Sequence, residues 1–142
     1  MFDGQILLGT VLITLEVIFH VIALVYLAGL IKPFKLKLMK SKNTLGLITL
    51  IGSSIFAIIS IHTIEAWAWA WVYYELDEFN NLYEALYFSV VTSTTLGFGD
   101  ITLSNHWQLL SAFEAMGGLL LFGFSTAFLI SLIQPLLFKD FE

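Results

Sequence analysis

The chain has 142 residues, 58% of them apolar and only 12% charged, with a formal net charge of −5. Soluble domains carry roughly 25% charged residues, so the composition excludes an ordinary water-soluble domain and predicts an all-α integral membrane protein. The absence of Cys excludes disulfides and thiolate metal sites, and the absence of Arg excludes an Arg-rich voltage-sensing helix.

Three apolar stretches, about 6–31, 45–74 and 107–138, are each long enough to cross hydrocarbon about 30 Å thick, which takes about 20 helical residues. Residues 1–44 are expected to form an N-terminal membrane helix followed by a cytoplasmic Lys-rich loop. The residues before the first span, Met1 to Gln5, carry an acid and no base, and no small-residue cleavage pattern follows. A retained helix is therefore expected rather than a signal peptide. Residues 45–138 form a second unit. It comprises a helix over 45–74, a shorter one over 82–93, a polar and Gly-containing segment over 94–100, and a last helix over 107–138. The 82–93 helix is too short to span and reads as re-entrant. Non-helical backbone at that depth is tolerated only when it is buried in protein or lines a water-filled path. Residues 139–142 are a short tail. Too little polar sequence remains for a nucleotide-, calcium- or nucleic-acid-binding module, and no enzymatic activity or cofactor is expected.

The bases orient the chain. All six are Lys; Lys32, Lys35, Lys37, Lys40 and Lys42 fall between the first two spans, and Lys139 follows the last. The positive-inside rule places that loop and the C-terminus in the cytoplasm and the N-terminus outside, in a multi-pass protein of the cell (inner) membrane. The five clustered Lys are topological and also offer contacts to lipid headgroups. Asp3, Glu75, Asp77, Glu78, Glu84 and Asp100 then fall on the outer side. Trp67, Trp69, Trp71, Tyr73 and Tyr74 form an aromatic belt at the outer end of the second span.

Five ionisable residues fall inside spans, where they are costly and face protein or water. Glu16 and His20 are four apart, His62 and Glu65 three apart, so each pair shares a helix face. The first two helices are expected to meet through these faces. Three readings stay open: a satisfied polar network, a pH sensor, and a metal or haem site on His20 and His62. The last needs both imidazoles at one depth. Both lie past the middle of helices running in opposite directions, so their depths are expected to differ. Glu114 is expected beside the short helix, bracing the segment after it.

Asn80 and Asn81 are good N-cap residues for that helix, and Glu84 three residues after Asn81 completes a capping-box pattern. The helix points its C-terminal end, with its partial negative charge, towards the membrane centre, where it favours a cation. Next comes Thr-Ser-Thr-Thr-Leu-Gly-Phe-Gly-Asp at 92–100. Carbonyls can replace an ion's hydration shell only if successive ones point the same way. That needs backbone of alternating handedness, which Gly97 and Gly99 adopt without steric cost.

This string between two spans resembles the selectivity filter of potassium channels. Residues 82–128, including Glu114–Ala127, look like small bacterial three-span members of that two-transmembrane, pore-loop family, with an extra N-terminal helix. The resemblance implies a homotetramer in the lipid bilayer, four loops enclosing permeant potassium. It implies ion-binding residues Thr95, Leu96, Gly97, Phe98 and Gly99, braced by Thr94, Asp100, Tyr87 and Glu114. It makes Gly117, Gly118 and Gly123 hinge candidates in the inner helix, with Gly118 nearest the family's hinge position and close helix packing as the other reading. Ser125 and Thr126 become candidates for lining the inner cavity or gate.

Departures from the commoner pattern thin the side-chain cuff. Phe98 replaces a Tyr, Leu96 a Val or Ile, Tyr87 and Phe88 a Trp pair, and Val91 a bracing Glu. A hydrogen bond from Tyr87 to Asp100 is expected to compensate in part, and its loss to speed filter inactivation. Alternatives are a weakly selective monovalent cation channel, a non-conducting modulatory subunit, and an intramembrane haem or metal protein.

Overall fold

The computed structural model describes residues 2–40 and 43–137. Lys42, Lys139 and the expected tail at 139–142 lie outside the described residues. Four helices follow in order: α1 (Phe2–Met39), α2 (Thr44–Glu75), α3 (Leu82–Ser93) and α4 (Gln108–Leu137). Among the described residues, α1, α2 and α4 are long and apolar enough to cross a membrane, and α3 is not. Helices suit that setting because every backbone polar group is satisfied within the segment.

One expectation is corrected. Residues 32–39, read as loop, are the last turns of α1, which carries Pro33 in its interior. Lys and Leu are strong helix formers, and the proline removes one backbone donor without ending the helix. Lys32, Lys35 and Lys37 thus stand on α1. Lys35 Nζ donates to the carbonyl of Ser131 at 3.0 Å. Pro135, inside α4, has no N–H to offer the carbonyl four residues before it. The acceptor that Lys35 takes up is the one that this proline releases.

α1 lies alongside α4, and both run in the same direction. Gln5 accepts from the Leu109 backbone N–H (3.2 Å), and Gly9 faces the ring of Phe113. Lower down, His20 meets Ser125. α2 packs on α3 and touches α1 and α4. Two apolar layers result. One centres on Trp69, Tyr73, Phe88, Leu103 and Leu110; the other on Leu24, Leu27 and Ile58, with Phe128 and Leu129 against it. Between these layers, in chain order on each helix, fall His20, His62, Glu65 and Ser125.

α3 is placed by its ends and one buried face. The Asn81 side chain accepts from the Glu84 N–H at 3.0 Å, which satisfies one of the orphan donors of the first turn. Asn81→Ala is expected to cost about 1 kcal/mol, read as a lower unfolding midpoint that Asn81→Asp largely restores. Ala85, Phe88, Ser89 and Val91 are buried. Phe88 meets the rings of Tyr73 and Phe79, each at 5.2 Å between centroids. The loops on either side of α3 and its following segment are tied by Glu78, which accepts from the Ser104 N–H (2.6 Å) and hydroxyl (2.7 Å).

Candidate functional site: an extended pore segment and a buried His–Glu cluster

The segment after α3 turns back on the helix before leaving it. Val90 O accepts from the Thr94 N–H, and Val91 O from Leu96 and Gly97 N–H. The orphan carbonyls of the helix end are thus met by the next residues. From there the backbone alternates. Thr95 (φ 58°), Gly97 (φ 58°) and Gly99 (φ 74°) are left-handed, with Leu96 and Phe98 between them outside that region. Successive peptide units related this way turn their carbonyls to one side. The sequence points to the two glycines but gives no sign of Thr95, a β-branched residue for which positive φ is a genuine outlier. Such outliers persist only where the surroundings over-determine them.

Residues 94–100 are exposed in the single chain, with Leu96 at 58% and Phe98 at 65%. Between this segment and α4 lies a cavity of about 360 Å³, reached by Thr95, Gly97, Asp100, Ser111 and Ala115. Tyr87 donates to Asp100 across 2.7 Å. That bond holds the Asp100 carboxyl below the usual carboxylate range and pushes the Tyr87 hydroxyl up. Asp100 therefore stays charged to lower pH. The bond's contribution is present above the ordinary Asp range and is lost as pH falls through the depressed value. In Tyr87→Phe, protonation of Asp100 is expected at higher pH than in the wild type, measured as the acid midpoint of the Asp100 carboxyl resonance. An unchanged midpoint contradicts this role.

Glu114, fully buried on α4, joins α2 to α3. It accepts from Tyr73 Oη at 2.7 Å and bonds the Ser89 hydroxyl, which also reaches the Ala66 carbonyl (2.9 Å). Tyr73 and Ser89 belong to this bracing as much as Glu114 does, and nothing in their sequence context marks them.

The glycines of α4 divide. A Cβ on Gly118 would stand 2.0 Å from the Ser93 carbonyl oxygen, so Gly118 is where α4 closes on the end of α3. A Cβ on Gly117 would meet the Glu16 carboxylate at 2.9 Å, whereas one on Gly123 would meet nothing within 4 Å. Ser125, read as a lining residue, is 4% exposed and faces α1 and α2 instead. Successive helix residues point about 100° apart, and Thr126 takes the exposed position.

The second cluster corrects the expected difference in depth. His20 and His62 lie side by side, ring centroids 5.1 Å apart. The parallel register of α1 with α4, from Gln5 at Leu109 to His20 at Ser125, fixes the level of His20, and helix midpoints do not report it. Glu65 bridges the two imidazoles: Oε1 is 2.7 Å from His20 Nδ1, and Oε2 is 2.9 Å from His62 Nδ1. The Ser125 hydroxyl lies 3.1 Å from His20 Nε2 and 3.0 Å from His62 Nε2. Glu16, one turn before His20, interacts electrostatically with His20 and Glu65. Among the described residues, His20, His62 and Glu65 are the side chains whose donor atoms converge within 4.8 Å, as a metal site requires.

Three membrane-capable helices, and a short helix running into backbone of alternating handedness before the last of them, define a channel-like class of membrane protein. A model of the ion channel family matches residues 61–134, just over half of the chain, and the chain belongs to this family. The match spans the C-terminal half of α2, all of α3 and the extended segment, and most of α4; α1 lies outside it. No curated protein and no solved structure matches the chain. It is thus a multi-pass membrane protein with a channel rather than an enzymatic role.

Proposed function

We propose that the chain assembles as a homotetramer around a potassium-selective pore and conducts potassium passively down its gradient. α3 is its re-entrant pore helix, 94–100 its filter, α2 its outer and α4 its inner helix. The observation that carries this reading is the alternation of left-handed residues at Thr95, Gly97 and Gly99. Such backbone presents a row of carbonyls that can stand in for water around a cation, provided four copies surround it. Its exposure in the single chain supports assembly, since bare polar backbone at membrane depth needs protein, water or an ion beside it. The Thr95, Leu96, Gly97 and Phe98 carbonyls, with the Thr95 hydroxyl, are the ion ligands. The acidic outer loops concentrate cations at the mouth. With Gly118 committed to packing, Gly123 is the better hinge for α4. Lys32, Lys35, Lys37 and Lys40 mark the cytoplasmic side.

The second reading, a weakly selective monovalent cation channel, is favoured by the cavity behind the filter and the lack of a Phe98 hydroxyl to cross it. Two measurements on purified protein test the proposal. Native mass should give four chains per particle, and vesicles loaded with potassium should lose it faster than matched sodium vesicles lose sodium. A monomer, or equal efflux of the two ions, overturns it.

A further inference from the structure

We propose that His20, His62 and Glu65 form a binding site for a divalent transition-metal ion of the zinc type, which clamps α1 to α2 and, through Ser125, to α4. The inference rests on the packing of α1, α2 and α4 and is independent of which ion the pore passes.

A count of protons carries it. Four close approaches join the cluster: one from each imidazole Nδ1 to Glu65, and one from each Nε2 to Ser125 Oγ. Two neutral imidazoles and one hydroxyl bring three protons. With Glu65 ionised, three protons cannot serve four links. The weakest of the four is the contact of Glu65 Oε2 with His62 Nδ1, an ion-pair approach at 2.9 Å that lacks good hydrogen-bond geometry, although Glu65 is only 4% exposed. With both imidazoles neutral the protein groups are therefore one cation short, a place that a proton on one ring or a metal ion can fill.

A metal ion held by both Nδ1 atoms and the Glu65 carboxylate removes the shortage without any change in proton number. Each imidazole then carries its proton on Nε2, and both Nε2–H groups donate to Ser125 Oγ, whose two lone pairs accept them. Ser125 thereby fixes the tautomer and orientation of both ligands, as partners of metal-bound histidines do. Two imidazoles and one carboxylate suit zinc and its neighbours. Tetrahedral donors about 2 Å from a metal stand about 3.3 Å apart, so donor atoms already within 4.8 Å of one another need only small side-chain adjustments. Charge also balances. Glu16 has a buried Oε2 without a hydrogen bond, and with Glu65 it brings two carboxylates against a dication. A cavity of about 280 Å³ between α1 and α2 is bordered by Glu16, Phe19, Glu65 and Trp69, so Glu65 has open space on one side.

The test uses the full chain, purified in lipid with a tag free of histidine, exposed to Zn2+ or Co2+ and then desalted. One metal per chain is expected, with the intense visible bands of tetrahedral Co2+. Glu65→Gln and His20→Asn should lose it, and Ser125→Ala should weaken binding about 10–100-fold. His106→Ala, whose ring lies against Trp107 in the outer loop, should bind like the wild type. The wild-type spectrum alone decides the matter if a variant fails to fold. No retained metal in the wild type overturns the site and leaves a hydrogen-bonded ring. Metal that survives Glu65→Gln and His20→Asn, or departs with His106→Ala, overturns the assignment of its ligands.

Discussion

Gly97→Ala is expected to abolish potassium conduction while the helices still fold and assemble. Gly97 has φ 58° and open space where a Cβ would stand, so the penalty comes from the backbone and not from crowding. A side chain in left-handed conformation costs roughly 1–2 kcal/mol per residue. Four copies in a ring would raise that to roughly 4–8 kcal/mol on the same basis. Relaxation out of this conformation turns one ring of carbonyls away from the axis and leaves an ion without part of its hydration substitute. The measurement is potassium efflux from vesicles beside a gel-filtration profile of the same sample. A wild-type profile with efflux at background is the expected result. Conduction with unchanged selectivity contradicts the assignment of 94–100 as the filter.

Gly118→Ala is expected to damage the protein at a different point. Its Cβ would stand 2.0 Å from the Ser93 carbonyl oxygen and 2.8 Å from the carbonyl carbon. These are backbone atoms at the end of α3, which cannot rotate away as a side chain can. Overpacking of this kind costs typically 1–3 kcal/mol, and relief requires α4 or the end of α3 to move. Because the segment proposed as the filter leaves from that end, lower thermal stability and loss of conduction should appear together. Gly123→Ala is the contrast. Nothing lies within 4 Å of its Cβ, and Ala is favoured over Gly in a helix interior by roughly 0.5–1 kcal/mol. It should fold at least as well as the wild type and, if α4 bends there, open less often. A stable Gly118→Ala protein with altered gating would return the hinge to Gly118.

What the sequence made legible was local. The span lengths, the Asn81 cap, and the glycines at 97 and 99 each follow from the chemistry of neighbouring residues. The Tyr87–Asp100 bond was also within reach, because both residues flank one short segment. Contacts between distant helices were legible only in part: the meeting of α1 and α2 through His20 and Glu65, and Glu114 beside α3, follow from the spacing of ionisable residues, but their partners do not. Nothing near Ser125 indicates that it faces two histidines, and nothing near Ser89 or Tyr73 indicates that both converge on Glu114. Those contacts depend on the register of α1 against α4 and of α2 against α3. In a membrane, packing of small residues sets such registers rather than any hydrophobic pattern. Thr95 is a different case: its left-handed backbone is imposed by the turn onto Val91 and by glycines on alternate positions, against its own preference. The Lys-rich stretch misleads for another reason: the apolar pattern stops near residue 31, but the helix continues through Pro33 to Met39.

The polar layer between the two apolar ones gives α1 a definite place. Through His20, which meets Ser125, and Lys35, which meets the Ser131 carbonyl, it has specific polar contacts with the helix proposed to line the pore. A helix outside the family match is therefore bonded directly to one that lies largely inside it.

The central claim is that four copies of this filter select potassium. The most direct measurement is the reversal potential of purified protein in a planar bilayer with potassium on one side and sodium on the other. The account predicts a shift well beyond the 59 mV that corresponds to about a tenfold permeability ratio for a singly charged ion, in the direction that favours potassium. A reversal potential near zero contradicts it.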